Sequence, residues 1–311
     1  MKCYNNLNIK RKDNIIESEL TNDKSEFSLN KNASLDSLEK GTFQTENEIF
    51  SKNNILSSFK SQNLTKILQT KLIGISKEII NNIINELSGE FRKVIKNKNG
   101  NYFFSCLINI CGKELRIRIL KELSDTLYED CNDEFATHSI QNLIEIASNE
   151  EEFKLIISSF DDFSKIIMAT LNKFGTYVIQ KIIIHIPEEY RMNFNLIFVK
   201  FICTFSRDGL GIFAVKKFIT HTKNKIIVTQ FLNLILNNFV DIAKNKFGNY
   251  LIQYLLEIWW AKKEGEYIKK AINSKFMLLA QNHYSSYICN LYLKLRNQLT
   301  DNNNLVQEYV V

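Results

Sequence analysis

A chain of 311 residues with 45% hydrophobic and 12% aromatic side chains can bury a large core or a long array of small units. Its single Pro and ten Gly are too few turn formers for a many-stranded β protein, and Leu, Ile, Lys and Asn favour helix. The formal net charge of +6 admits an anionic partner, and the absence of any apolar run of about 18 residues or of a charged-then-apolar leader excludes a membrane span and a signal peptide from expectation.

Residues 1–50 are rich in Asn, Ser, Lys and Glu, and their short apolar clusters never sustain a period, so this segment is expected to be a disordered polar tail. It carries 7 basic and 9 acidic residues, which leaves 33 basic and 25 acidic residues, net +8, for residues 51–311. The basic surplus thus belongs to the part expected to fold.

From about residue 55 a repeat appears, centred on a five-residue core. The copies are TKILQ (Thr65, Lys66, Gln69), NYFFS (Asn101, Tyr102, Ser105) and THSIQ (Thr137, His138, Gln141). TYVIQ (Thr176, Tyr177, Gln180) and IFAVK (Ile212, Phe213, Lys216) follow, then NYLIQ (Asn249, Tyr250, Gln253) and SYICN (Ser286, Tyr287, Asn290). Successive first positions lie 36, 36, 39, 36, 37 and 37 residues apart, a register that unrelated helices would not keep. The three extra residues of the long interval are expected in a loop near Ser148–Glu152. A further core at this period would begin beyond residue 311.

Each unit repeats one internal logic. A small residue (Gly100, Ala136, Gly175, Gly211, Gly248, Ser285) opens a core helix where a larger side chain would crowd the neighbouring unit, and only the first copy departs, with Leu64. A second amphipathic helix is expected to follow, EEYRMNFNLIFVKFI after Pro187 or KNKIIVTQFLNLILNNFVDIA after Thr222. Pro187 suits a first helical turn, and Glu188 and Glu189 suit the positive end of its dipole. No unit can bury its apolar face alone, so the units are expected to stack with their core helices as a ladder along one surface. On a helix opening after Gly248, Asn249 and Gln253 fall at i and i+4 on one face with Tyr250 beside them. Two amides and a flat ring on one strip suit reading a base edge while stacking on the base.

Enzyme chemistry finds no comparable pattern. The four His (His138, His185, His221, His283) are far apart and outside any metal-binding or triad-like motif, and there is no Walker loop or GxGxxG. No enzyme activity, metal or cofactor is expected. The six Cys (Cys3, Cys106, Cys111, Cys131, Cys203, Cys289) form no CxxC pair and read as reduced, mostly buried thiols. Glu150–Glu152 with Asp161–Asp162 read as a solvated helix start, and Trp259–Trp260 as an inter-repeat contact in preference to an exposed patch for a protein partner.

The period near 36, the small residue before each core, and phrases such as NKFGTYVIQKII and NKFGNYLIQYLLE resemble the Pumilio/PUF family of RNA-binding proteins over roughly residues 55–299. The resemblance implies an all-α fold, a right-handed α-solenoid (an armadillo-like superhelix) of about seven three-helix repeats over residues 51–311. Its concave face would hold single-stranded RNA, one base per repeat and antiparallel to the chain. The first and fifth core positions would meet the base edge and the second would stack between bases. Asn249, Gln253 and Tyr250 match the family's uracil-reading combination. Thr65/Gln69, Thr137/Gln141 and Thr176/Gln180 resemble combinations that accept adenine or read loosely. Asn101/Ser105 has lost the long amide, and Ile212/Lys216 cannot read a base edge in the usual way, though Phe213 can stack and Lys216 can reach a phosphate. Ser286/Asn290 departs from the Ser/Glu pair used for guanine, since Asn can accept a hydrogen bond but lacks the charge. Stacking is worth about 1–3 kcal/mol per base. Tyr102, Tyr177, Phe213, Tyr250 and Tyr287 supply five platforms, with His138 and Lys66 as poorer ones.

The function implied is binding of mRNA 3′ untranslated regions to regulate translation or decay. The implied protein is a cytoplasmic monomer, with protein effectors on the convex face or the tail. Two readings stand beside it: a divergent relative acting on ribosomal precursor RNA in the nucleolus, and a protein-binding scaffold of armadillo or HEAT type.

Overall fold

The computed structural model describes residues 45–308, with side-chain surroundings through residue 298. The polar tail expected over residues 1–50 lies outside the described residues as far as residue 44. Glu46–Ile49 forms one helical turn, and from Phe50 onward the chain is a single compact unit.

Every regular element among the described residues is a helix. Repeat 1 contains Lys52–Ser58 and the core helix Gln62–Lys71. Six repeats of a long, a middle and a core helix follow. Repeat 2 is Lys77–Leu87, Phe91–Ile95 and Gly100–Ile110, and repeat 3 is Lys113–Leu123, Leu127–Asp130 and Ala136–Ile146. Repeat 4 is Glu150–Ser158, Phe163–Leu171 and Gly175–His185, and repeat 5 is Met192–Lys200, Ile202–Ser206 and Gly211–His221. Repeat 6 is Lys225–Asn237, Phe239–Ala243 and Gly248–Trp259, and repeat 7 is Lys263–Ser274, Phe276–Ala280 and Ser286–Glu308. Each core helix packs on the next in an unbroken ladder, the all-α solenoid expected.

The third, fourth, seventh and eighth core positions hold the ladder together. Phe103, Phe104, Leu107 and Ile108 in repeat 2 and Leu251, Ile252, Leu255 and Leu256 in repeat 6 are fully buried. Each such side chain contributes about 1.5–3 kcal/mol relative to exposure. Polar staples join the repeats at their far ends. Fully buried Asp130 accepts from Arg92 Nε at 3.0 and 3.1 Å and pairs with Lys96 at 2.7 Å. Glu188 accepts from the backbone amides of Lys223 and Asn224 in the next repeat.

Four expectations need correction. The stretch after Pro187 is two helices: residues 188–191 form turns, and the helix begins at Met192. Buried Arg191 turns back to the carbonyls of Ile186 and His221, which takes Pro187 and Glu188 out of a first helical turn. The stretch after Thr222 likewise divides at Asn238. The extra residues of repeat 4 are in its middle helix. That helix starts ten residues before the first core position in repeats 2, 3, 5, 6 and 7 but thirteen before it, at Phe163, in repeat 4. Asp162 caps the added turn by accepting from Ser164 N at 2.6 Å, and exposed Phe163 stacks on Phe201 with centroids 6.1 Å apart. Finally, Glu150 and Glu151 are exposed, but Glu152 is buried and pairs with Arg116 Nε at 2.6 Å; its backbone amide is capped by Asn149 Oδ1 and its carboxylate accepts the Ser148 amide.

The small residue before each core has a physical cause. A Cβ on Gly100, Gly175, Gly211 or Gly248 would lie 2.3–2.7 Å from the carbonyl oxygen six residues earlier, in the middle helix of the same repeat. At Gly211 and Gly248 the crowding comes from within the repeat, at Gly100 Phe59 of the preceding repeat adds to it, and at Gly175 Asn132 Oδ1 of the preceding repeat is the nearest atom, at 2.3 Å. Ser285 turns the constraint to use: its hydroxyl donates to that carbonyl, Leu279 O, at 2.7 Å. Trp259 is buried edge-on against Phe231, and half-buried Trp260 lies between Tyr292 and Lys269.

Candidate nucleic-acid interface

Each core helix from repeat 2 onward is started by the same device. An Asn or Asp four residues before the first core position accepts two backbone amides at the helix mouth through one Oδ1. Asn97 accepts from Asn99 and Gly100 at 2.9 and 3.0 Å, Asp133 from Phe135 and Ala136 at 2.9 and 3.0 Å, and Asn172 from Phe174 and Gly175 at 2.8 and 3.1 Å. Asp208, Asn245 and Asn282 do the same at 2.8–3.2 Å. These six residues place the core side chains, and sequence reasoning missed them. The signal was present: Asn or Asp at a constant offset, visible in NKFG itself.

The three core positions separate by depth. First-position residues Thr65, Asn101, Thr137, Thr176, Ile212 and Asn249 are buried, and only Ser286 is half-exposed. Second-position residues are all half-exposed or exposed: Lys66, Tyr102, His138, Tyr177, Phe213, Tyr250 and Tyr287, with Tyr102 51% and Tyr287 44% accessible. Fifth-position residues Gln69, Ser105, Gln141, Gln180, Lys216 and Gln253 are half-exposed, and Asn290 is exposed. Second and fifth side chains therefore share an accessible strip, with the first behind it.

Buried first positions bond to backbone. The Thr137 hydroxyl donates to Phe174 O at 3.2 Å and the Thr176 hydroxyl to Leu210 O at 3.4 Å, each joining its repeat to the next. Thr65 donates to Ser58 O and Ser61 O, and Ser286 to His283 O. Asn249 Nδ2 donates to Asn245 O and Lys246 O, both at 3.0 Å, and Asn101 Nδ2 to Asn97 O and Lys98 O. Both amide protons of these Asn side chains are thus directed at the helix start.

The remaining oxygen orients the fifth position. Gln253 Nε2 donates to Asn249 Oδ1 at 2.9 Å, Gln141 Nε2 to Thr137 Oγ1 at 3.1 Å, and Gln180 Nε2 to Thr176 Oγ1 at 3.5 Å. This is the i, i+4 stacking expected of the repeat. An amide anchored through its nitrogen turns its carbonyl oxygen away from the anchor, where it can accept a base N–H. Gln69 differs, donating to Cys106 Sγ of repeat 2 at 3.4 Å. In repeat 2 Ser105 is too short to reach back, and buried Asn101 Oδ1 has no hydrogen-bond partner. In repeat 5 Ile212 offers no polar atom, and Lys216 Nζ lies 5.3 Å from the centre of the Tyr254 ring in repeat 6.

Exposed Lys98, Lys173 and Lys246 occupy equivalent sites three residues before the first core position, the latter two over Phe174 and Phe247 at 4.4 and 4.8 Å. His138 is exposed, and its partial desolvation among its neighbours pushes its pKa below the ordinary histidine value. Cys106, Cys111, Cys131, Cys203 and Cys289 are free thiols, and burial pushes Cys111 and Cys131 up to about 12. Among the described residues no three His, Cys, Asp or Glu side chains converge as a metal site requires, and no helix is long and apolar enough to cross a membrane.

Comparison with known proteins agrees with this geometry. Residues 131–158, 170–193 and 238–258 match the Pumilio-family RNA binding repeat. Pumilio homolog 12 of Arabidopsis thaliana is 23% identical over 219 residues, 68% of this chain and 36% of that protein. Suppressor protein MPT5 of Saccharomyces cerevisiae is 26% identical over 215 residues, 65% of this chain and 23% of that protein. The aligned part is thus about a third or less of these curated relatives. Among solved structures, the Puf4 RNA binding domain bound to the HO endonuclease RNA 3′ UTR recognition sequence superposes with a TM-score of 0.72 at 20% identity, covering 76% of this chain and 74% of that one. The RNA-binding domain of yeast Puf5p bound to SMX2 RNA gives 0.69 at 21% identity, covering 78% and 68%. At these identities the structures establish the fold.

Proposed function

We propose that this chain, which belongs to the Pumilio/PUF family, binds single-stranded RNA along its core-helix ladder, one base per repeat, as a regulator of mRNA translation or decay. The observation that carries the reading is the repeated division of depth: a ring or long side chain at the accessible second position, beside a fifth-position amide that three repeats anchor to the buried first residue. A base stacked on the ring presents its edge to that amide. Repeat 6 is the most complete, and Gln253, anchored to Asn249 beside Tyr250, selects uracil. The 3′ untranslated region as target is supported by the RNA bound to Puf4, and a cytoplasmic, monomeric adaptor with effectors on the opposite face follows from the same reading.

The test is selection from a random single-stranded RNA pool by the full chain, alongside Tyr250→Ala. A motif with one fixed uracil, lost in the variant, is the expected result. Enrichment without a motif, still dependent on Tyr250, would favour ribosomal precursor RNA, which the degenerate positions Ser105, Ile212 and Lys216 suit. No enrichment would refute RNA binding and leave a protein-binding scaffold.

A further inference from the structure

Repeats 1, 3 and 4 share Thr and Gln at the first and fifth core positions, yet their amides are held differently. Gln141 and Gln180 donate to Thr137 and Thr176 of their own helices, and Gln253 likewise to Asn249, whereas Gln69 donates across the repeat boundary to Cys106 Sγ at 3.4 Å. Thr65 does not compel the difference. Its hydroxyl proton is directed at Ser58 O and Ser61 O, and its oxygen keeps lone-pair capacity for an amide, as the Thr137 and Thr176 oxygens do. The difference lies in the sixth core position of the next repeat, which looks back over the boundary. Cys106 is one case. Asn142 Nδ2 donates to Ser105 O at 3.3 Å, and the Tyr254 hydroxyl is 2.6 Å from that of Thr220. Lys181 at this position pairs with Glu145 at 2.6 Å, Lys217 is exposed, and the Leu291 side chain has no polar atom. These last three belong to the repeats that follow Gln141, Gln180 and Gln253, the glutamines that stay anchored to their own first residue. Gln69, which meets a side chain that takes its amide, does not.

We infer that Cys106 of repeat 2 is a positioning residue for base reading at repeat 1, so that repeat 1 selects differently from repeats 3 and 4 although all three carry Thr and Gln. The inference rests on the RNA-binding reading and deepens it. An amide turned towards the next repeat presents its carbonyl oxygen and second N–H to a base from another direction than one turned back along its own helix. Burial pushes the Cys106 pKa up, so the anchor is a neutral thiol, a weak acceptor from which the amide is readily released.

The test is selection from a random single-stranded RNA pool by the full chain and its Cys106→Ala and Cys106→Ser variants, followed by competition among RNAs varied at single nucleotides. Gln69→Ala, Gln141→Ala and Gln180→Ala locate the nucleotides on repeats 1, 3 and 4 as those whose preferences they remove. In Cys106→Ala the Gln69 amide is expected to return to Thr65, moving base preference at the repeat 1 nucleotide about two- to tenfold towards that seen on repeats 3 and 4, the range set by one neutral hydrogen bond. Cys106→Ser keeps an acceptor at the site and is expected to retain the wild-type preference, with the repeat 6 nucleotide unchanged in both variants. Equal preferences on repeats 1, 3 and 4 in the wild type, or no change in Cys106→Ala, overturn the inference while leaving RNA binding intact. So does a shift of the same size in Cys106→Ser, or a loss of preference spread over every repeat, which would make Cys106 a packing residue only. A wild-type chain that binds no RNA overturns the RNA-binding reading and this inference together.

Discussion

Ser105→Gln and Gln253→Ser are one exchange made in opposite directions at equivalent positions. In repeat 6 the Gln253 amide satisfies buried Asn249 Oδ1 at 2.9 Å, whereas in repeat 2 Asn101 holds the same two backbone carbonyl bonds but its Oδ1 is buried and unpaired. A buried acceptor left without a partner costs about 1–3 kcal/mol, and a hydrogen bond returns about 1 kcal/mol net. Ordering a glutamine side chain offsets part of the gain, by up to about 1.5 kcal/mol for a fully fixed one. Ser105→Gln is therefore expected to stabilise the chain by about 0.5–1 kcal/mol and Gln253→Ser to destabilise it by about 1–2 kcal/mol. For a unit of this size that corresponds to a Tm rise of about 1–4 °C and a fall of about 2–8 °C. Differential scanning calorimetry of the two variants beside the wild type measures both. RNA selection supplies a second readout, because Ser105→Gln completes an Asn/Gln pair beside Tyr102 and should create a uracil preference at repeat 2. Tm shifts of the same sign in both variants would refute the idea that the first-position oxygen is the anchor of the fifth position.

Two further outcomes are expected. Burial lowers the pKa of His138 and His185, with Lys181 adding to the effect at His185, so the folded chain binds fewer protons at these sites than the unfolded chain. Their contribution is fully present above the ordinary histidine pKa and is lost as pH falls from there through the lowered folded values; urea midpoints should decline over that range, and His138→Gln with His185→Gln should flatten the decline. Asn245→Ala removes both side-chain bonds at the mouth of the repeat 6 core helix and should cost about 1 kcal/mol by denaturant titration, with weaker uracil selection at repeat 6 as Asn249 loses its fixed start.

The solenoid was legible because each unit repeats its burial pattern, and a fixed register of Gly, aromatic and amide survives even where single positions drift. Helix boundaries were less legible. Nothing in EEYRMNFNLIFVKFI announces that Arg191 will fold inward and delay the helix to Met192, since that depends on the His221 carbonyl of the same repeat's core helix coming within 3.1 Å. The added turn at Phe163 was misplaced for a related reason: Glu150–Glu152 look like an insertion by composition, yet Glu152 is committed to Arg116 of the preceding repeat. Contacts between distant parts of the chain decide such details, and one sequence does not display them.

The depth of the first position also reorganises how the candidate site works. On a helical wheel, Asn249 and Gln253 look like equal partners at i and i+4, both facing a ligand. In the folded chain they are in series: Asn245 fixes the helix mouth, Asn249 spends its amide protons on the carbonyls of Asn245 and Lys246, and its oxygen then holds Gln253. A thermal or mutational disturbance at the loop therefore reaches the Gln253 amide through two hydrogen bonds. Affinity and selectivity separate for the same reason. On the proposed reading, second-position rings would stack on a base whatever its identity. On the same reading base choice would depend on an intact chain from cap to first to fifth residue, which repeat 6 has, repeat 2 lacks at Ser105, and repeat 5 replaces with a charge.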